Sequence, residues 1–365
     1  MKFQRQAVRV VDALHPRGHT IALASNEVPR QAVRLVVVDR DGVRAVPFGE
    51  LPQLLRAGDL VIVNDAATLP ASIAGATATG APIELRLSAP IAGSQIHGVL
   101  FGAGDHRTRT EDRAAPPAIA AGDRLRFGEI TAIVESIAGR RVVLSAQLAD
   151  DALWQALYAN GKPVQYAHRT ELLPLYAVQT AYAARPWAVE MPSAGRALTW
   201  DVLLGLRRAG VRIATLTHAA GLSSTGDDDL DRALPWPERY EIPQRTLDEI
   251  RAAKARGNRV IAIGTTVVRA LESAALAAEL GQTDLHAGSG IATLRLDPAY
   301  RPRVIDGLVS GLHVPGESHF ELLSAFAPRA QLVRAISLAG SQGMSGHELG
   351  DACLVLSALP TDRAA

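Results

Sequence analysis

Three apolar runs in this chain end in side chains that can move protons. "GDLVIVND" closes on Asn64 and Asp65, "VRIATLTH" on His218, and "GLVSGLH" on His313. Such runs suit buried strands, and α/β sheets bind ligands at the carboxyl ends of their strands. A carboxylate, a carboxamide and two imidazoles on one edge would supply general acid–base catalysis and the hydrogen bonds that orient a substrate. Each alone could equally cap a neighbouring turn, so the reading depends on their convergence.

Two turns add backbone donors. In "MPSAGRALTW", residues 191–200, a tight Pro-Ser-Ala-Gly turn precedes a helix, and its N–H groups would point at whatever sits in front of it. "RVIAIGTTVVRALES" reads as a strand, a Gly264 turn and a helix with Thr265 or Thr266 as N-cap, a place for a carboxylate or phosphate. It lacks the spaced glycines and Lys of a Walker loop. Ser193 lacks the flanking glycines of a nucleophile elbow. "GSG" at 288–290 follows no clear strand and reads as a loop. His313 and His319 in "HVPGESH" lack helical ligand spacing, and no metal site is expected.

The elements that must carry these residues fall into two kinds. "VRLVVVDRDG" and "GDLVIVND" are strands, and from about residue 70 short apolar runs punctuated by Gly and Pro suggest a small barrel or sandwich. After about residue 150 helices and strands alternate, beginning with the amphipathic "ADDALWQALYANG". The fold class is therefore α/β: a large α/β domain with a mostly parallel sheet, residues 1–69 and 152–365, interrupted by an inserted β-barrel-like domain at 70–151.

Composition agrees with an ordinary soluble globular protein. The 365 residues are 48% hydrophobic and 21% charged, with a net charge of +1 that provides no global field for nucleic acid. Basic clusters at 106–113 and 251–259 read as solvated faces. No apolar stretch reaches membrane-spanning length, and the N-terminus does not resemble a secretory signal, so a cytoplasmic location is expected. The single cysteine, Cys353, reads as a core residue.

Taken in order, "PRQAVRLVVVDR", "LRAGDLVIVNDAATLPASIAG", "YAVQTAYA", "VEMPSAGRALTWDVLLGLRRAGV", "AIGTTVVRALES", "VIDGLVSGLHVPGES" and "GDACLVL" resemble the S-adenosylmethionine:tRNA ribosyltransferase-isomerase family of queuosine biosynthesis. The resemblance covers nearly the whole chain. It implies an α/β domain with an inserted β-barrel and no tightly bound cofactor, with S-adenosylmethionine as co-substrate. The family's reaction moves the ribosyl part of S-adenosylmethionine to the aminomethyl group of a 7-deazaguanine base in tRNA, isomerises the sugar to an epoxycyclopentanediol, and releases adenine and methionine. The sulfonium acidifies the adjacent sugar CH, a base removes that proton, and a donor assists the departing adenine.

On that resemblance the acid–base candidates are Asp65, Glu238 and His313, with Asp351 behind them. The substrate-binding candidates are Asn64, Tyr176, Gln179, the turn Pro192, Ser193, Ala194, Gly195 and Arg196 with Thr199, then His218, Trp236, Tyr240, Gly264, Thr265, Thr266 and Arg269. Trp236 or Tyr240 would face the sulfonium, and the two turns would hold the methionine end or the ribose.

The chain also departs from the family pattern. Ala66 and Ala67 follow Asn64-Asp65 where Thr-Arg is usual, Ala197 stands for a His beside a new Arg196, Trp236 replaces a His, and Gly311 stands for Asn. These losses remove donors that a base-reading site uses. They lead to the expectation of a specialised paralogue whose acceptor is a small molecule. The family's own tRNA reaction is the alternative, and an inactive S-adenosylmethionine-binding protein is a third. No membrane partner is expected, and both a monomer and a homodimer remain open.

Overall fold

The computed structural model describes residues 21–23, 28–167, 171–346 and 348–356. Its centre is a nine-stranded sheet. The strands Arg212–His218, Leu60–Asn64, Val260–Ile263 and Gly307–Gly311 lie side by side and parallel. Val61, Ile62, Val260 and Ile261 are fully buried because helices cover both faces, which is why these runs lack alternation. Helices Gln244–Ala255, Thr265–Leu280 and Arg329–Ser341 pack their apolar residues on one face. The short helix Leu51–Leu54, the turn Ser193–Gly195 and the helix Trp200–Arg208 cover the other.

The parallel centre expected from the sequence is flanked by antiparallel pairings, so the whole sheet is mixed. On one side Arg212–His218 pairs antiparallel with Glu238–Ile242, which pairs antiparallel with Gly288–Ala292. The "GSG" stretch is thus an edge strand, correcting its reading as a loop; three small residues hid the pattern that strands normally show. On the other side Gly307–Gly311 meets Ala352–Leu356 antiparallel, and Arg34–Asp39 and Gly42–Pro47 complete the sheet.

Six antiparallel strands between Ser72 and Ala146 close a barrel. Leu85, Leu100 and Phe127 belong to its apolar core, while Glu84, one residue before Leu85, is on the opposite face of its strand, paired across the ladder with Phe101. Burial works against the Glu84 carboxylate, but Arg86 and Arg113 hold it below the usual range. The helix Asp150–Asn160, assigned from the sequence to the α/β domain from residue 152 onward, buries Leu153, Ala156 and Leu157 in this barrel core instead. Its apolar stripe does not reveal which core it serves.

The chain enters and leaves the barrel at adjacent points. Arg185–Ala188 pairs parallel with Ala66–Thr68, and Leu69 donates its N–H to the Ala188 carbonyl at 2.7 Å. Among the described residues, no helix is long and apolar enough to cross a membrane.

Candidate active site

Asn64, His218 and Gly264 fall at the carboxyl edge of the parallel strands, and the fourth strand ends at Gly311, two residues before the His313 on which the sequence pattern closed that run. Asn64 holds this edge together. Its Oδ1 accepts from the backbone N–H of His218 at 2.9 Å and of Ala66 at 3.1 Å, while its Nδ2 donates to the His218 carbonyl at 3.0 Å and Thr266 Oγ1 at 3.4 Å. Thr217, one residue before His218, points to the opposite face and donates to Asp65 Oδ1 at 2.6 Å.

Behind Asn64 lies a charged group. Glu238 Oε1 accepts the Gly221 N–H at 2.6 Å, and Oε2 forms an ion pair with Arg269. Arg269 also donates to the carbonyls of Trp236, Ala292 and Leu294, which explains how a guanidinium is retained inside the protein. Burial, helped by the neighbouring Arg295, lowers its pKa to about 10.

His218 is completely buried, with Nε2 3.5 Å from Glu238 Oε2, yet neither ring nitrogen makes a hydrogen bond. Burial and the charge of Arg269 push its pKa down to about 3, so the imidazole is neutral at physiological pH. An orphaned imidazole beside a carboxylate is an expensive arrangement for a purely structural residue.

The two turns meet next to it. The helix Thr265–Leu280 starts from Gly264 with no side-chain cap, so Thr265 and Thr266 are first-turn residues and not the N-cap expected of one of them. Gly264 has φ +94°, a left-handed conformation that favours glycine, and a Cβ there would lie 3.6 Å from Ala194. Ser193, Ala194, Arg196 and Ala197 line a small cleft with Gly311, Glu348 and Asp351. Gly195 is required for close packing, since a Cβ there would fall 2.0 Å from the Tyr182 hydroxyl. That hydroxyl is buried and makes no hydrogen bond.

Several expected ligand contacts are structural in this arrangement. Gln179 gives its whole carboxamide to the backbone of Thr68, with bonds of 2.8 and 2.9 Å. Asp351 is buried and clamps the N–H and guanidinium of Arg34 and the N–H of Ser345, at 2.8–2.9 Å. Thr199 caps the Trp200–Arg208 helix through Val202 N–H, and buried Arg196 donates to the Val28 carbonyl at 2.6 Å. Tyr240 is buried against Gly290. The Trp236 ring packs on the barrel core with the Arg141 guanidinium 5.0 Å from its centroid, so it is not brought to Asn64. Tyr176 is 79% exposed. His313 hydrogen-bonds Glu317 at 3.2 Å and stacks on His319 at 4.6 Å, beyond Gly311 on the same edge.

One functional group escaped the sequence reading. Glu190, directly before the 191–200 stretch, accepts from Tyr166 and from the Ser223 N–H at 2.9 Å. Among the described residues, no group of three or more His, Cys, Asp or Glu side chains could hold a metal ion.

A mixed sheet with an inserted barrel, bearing carboxylates, a neutral imidazole and an uncapped helix at one strand edge, defines an α/β protein with acid–base side chains gathered at that edge. The chain belongs to the queuosine biosynthesis protein family, whose description matches residues 18–355. It is 35% identical over 340 residues to the S-adenosylmethionine:tRNA ribosyltransferase-isomerase of Synechococcus elongatus, covering 90% of each chain. The protein of the same name from Sorangium cellulosum is 35% identical over 360 residues, covering 92% of this chain and 95% of its own. A solved structure of S-adenosylmethionine tRNA ribosyltransferase from Thermotoga maritima aligns with 23% identity and a TM-score of 0.48, covering 92% of this chain and 96% of that one.

Two outcomes follow from the geometry. Gly195→Ala will cost about 1–3 kcal/mol in urea unfolding, and adding Tyr182→Phe will recover part of it, because the clash is with the hydroxyl. His218 binds no proton when folded until pH falls near 3 but does so below about 6.5 when unfolded, so it draws stability down as pH falls. Between pH 7 and pH 5 this amounts to about 2 kcal/mol, and urea midpoints of His218→Asn should fall less over that interval than those of the wild type.

Proposed function

We propose that the protein transfers the ribosyl part of S-adenosylmethionine to a modified base in tRNA and isomerises it. The observation that carries this reading is the neutral, unbonded His218 beside the Glu238–Arg269 ion pair in a chain whose relatives bear that activity in their names over nine-tenths of their length. S-adenosylmethionine is the co-substrate. The carboxylate of its methionine end suits the uncapped amides at Thr265 and Thr266.

Glu238 removes the proton from the ribosyl carbon next to sulfur. His218, fully buried and neutral, stands 3.5 Å from the Glu238 carboxylate and does not take that proton. Two exposed or half-exposed arginines favour tRNA over a small acceptor: Arg239 and Arg185 lie 4.2 and 5.6 Å from the Trp187 ring, next to Asp65. Guanidinium and indole planes of this kind stack on unpaired bases. The small-molecule acceptor expected from Ala66, Ala67, Arg196, Ala197, Trp236 and Gly311 gains no support: the relatives are named for tRNA, Arg196 is buried and Trp236 packs on the barrel.

Adenine release from S-adenosylmethionine, measured with and without tRNA carrying 7-aminomethyl-7-deazaguanine, tests the reading. Release will require that tRNA and fall about 10²–10⁴-fold in Glu238→Gln. Release driven by a small amine without tRNA would replace the acceptor, and binding without turnover would favour the inactive reading.

A further inference from the structure

We propose that Glu190 is a second acid–base residue of this site, donating a proton to the leaving purine while Glu238 takes one from the ribosyl group. This rests on the ribosyl-transfer reading and adds a residue to it. The two carboxylates are presented by one loop: the Gly221 N–H binds Glu238 and the Ser223 N–H, two residues on, binds Glu190, at 2.6 and 2.9 Å. The backbone of the Glu190 segment is fixed to the same loop, since the N–H groups of Val189 and Glu190 both reach the Ala220 carbonyl, at 2.7 and 3.4 Å. From Glu190 the chain runs directly into the turn whose residues Ser193, Ala194 and Arg196 line the cleft with Glu348.

The surroundings of the two carboxylates differ in sign. Glu238 faces the Arg269 guanidinium. Glu190 faces Tyr166 from the segment after the barrel helix, Glu348 from the 348–351 turn, Ser223, and the buried Arg86 of the barrel strand Pro82–Leu87. Burial and the Glu348 charge raise the Glu190 carboxyl to about 7, against the hydrogen bonds from Tyr166 and Ser223. Two carboxyls presented by one loop, one facing a guanidinium and the other a second carboxylate, suit the separate roles of base and acid.

The proton balance closes. Glu238 accepts the proton next to sulfur, the C–H electrons form a C=C bond as the ring C–O bond breaks, the freed ring oxygen forms a carbonyl as the C–N bond breaks, and Glu190 protonates the departing purine. The fragment keeps the single positive charge of its sulfonium until methionine leaves as the neutral thioether, and proton exchange restores both carboxyls.

The test is the pH profile of adenine release in the presence of tRNA. Wild-type activity should fall as pH rises through about 7, because the donor must hold its proton. Glu348→Gln removes a repelling charge and should move that limb to lower pH, whereas Tyr166→Phe removes a bond that favours the ionised form and should move it to higher pH. Glu190→Gln, nearly isosteric, should lose about 10²-fold in rate and the limb with it. A purely structural Glu190 would not produce opposite shifts. Infrared titration of the carboxyl band provides a readout independent of turnover: the band should disappear in Glu190→Gln. Wild-type rate and limb in Glu190→Gln would overturn the assignment, as would an unchanged band. A complete absence of release from the wild type, with the band still assigned to Glu190, would instead overturn the ribosyl-transfer reading.

Discussion

A carboxamide has two donor and two acceptor positions, and at Asn64 the protein uses all four. They join the end of the central strand to the end of its neighbour and to the first turn of the long helix. A one-atom change there would leave buried backbone groups unpaired at the place where the sheet meets the candidate site. The positions of the His218 backbone and of Thr266 depend on this side chain. Asn64 therefore orients the groups expected to meet a ligand and has no bonding capacity left for the ligand itself.

The polar interior shows the same economy on a larger scale. Arg269 is kept charged inside the protein by one carboxylate and three carbonyls, and Glu272, one turn on, accepts three successive backbone N–H groups at 303–305. Both sit on the Thr265–Leu280 helix, so its two buried ionic side chains tie it to the edge strand and to the segment entering Gly307–Gly311. Such groups add little net stability compared with apolar substitutes, but they fix register and orientation.

Much of this was legible in the amino-acid order. Continuous apolar runs marked the parallel strands, and polar residues at their ends marked the edge where the groups converge. What could not be read was the partner of each side chain. Gln179, Thr199 and Asp351 have functional residue types, but their hydrogen bonds go to backbone that is distant in sequence or lies in the next helix turn. Trp236 is aromatic and two residues before Glu238, yet it lies outside the strand Glu238–Ile242 and its ring packs on the barrel core. Glu190 escaped because it sits in no recognisable spacing, and its unusual acidity comes from burial and from Glu348, more than 150 positions away. The Gly288–Ala292 strand escaped because Gly and Ser carry no hydrophobic signal.

The small parallel pair that joins Ala66–Thr68 to Arg185–Ala188 has a kinetic meaning. Leu60 must find Arg212 to build the central sheet, although the whole barrel and its helix lie between them. Closing a loop of that length in an unfolded chain is entropically unfavourable and slow. Once the barrel has folded and its two ends are stitched at 66–68 and 185–188, the sheet strands are delivered to each other as near neighbours. The folded barrel thus shortens the effective loop between the strands that carry Asn64 and His218, so a long separation in sequence costs the sheet only a short closure in space.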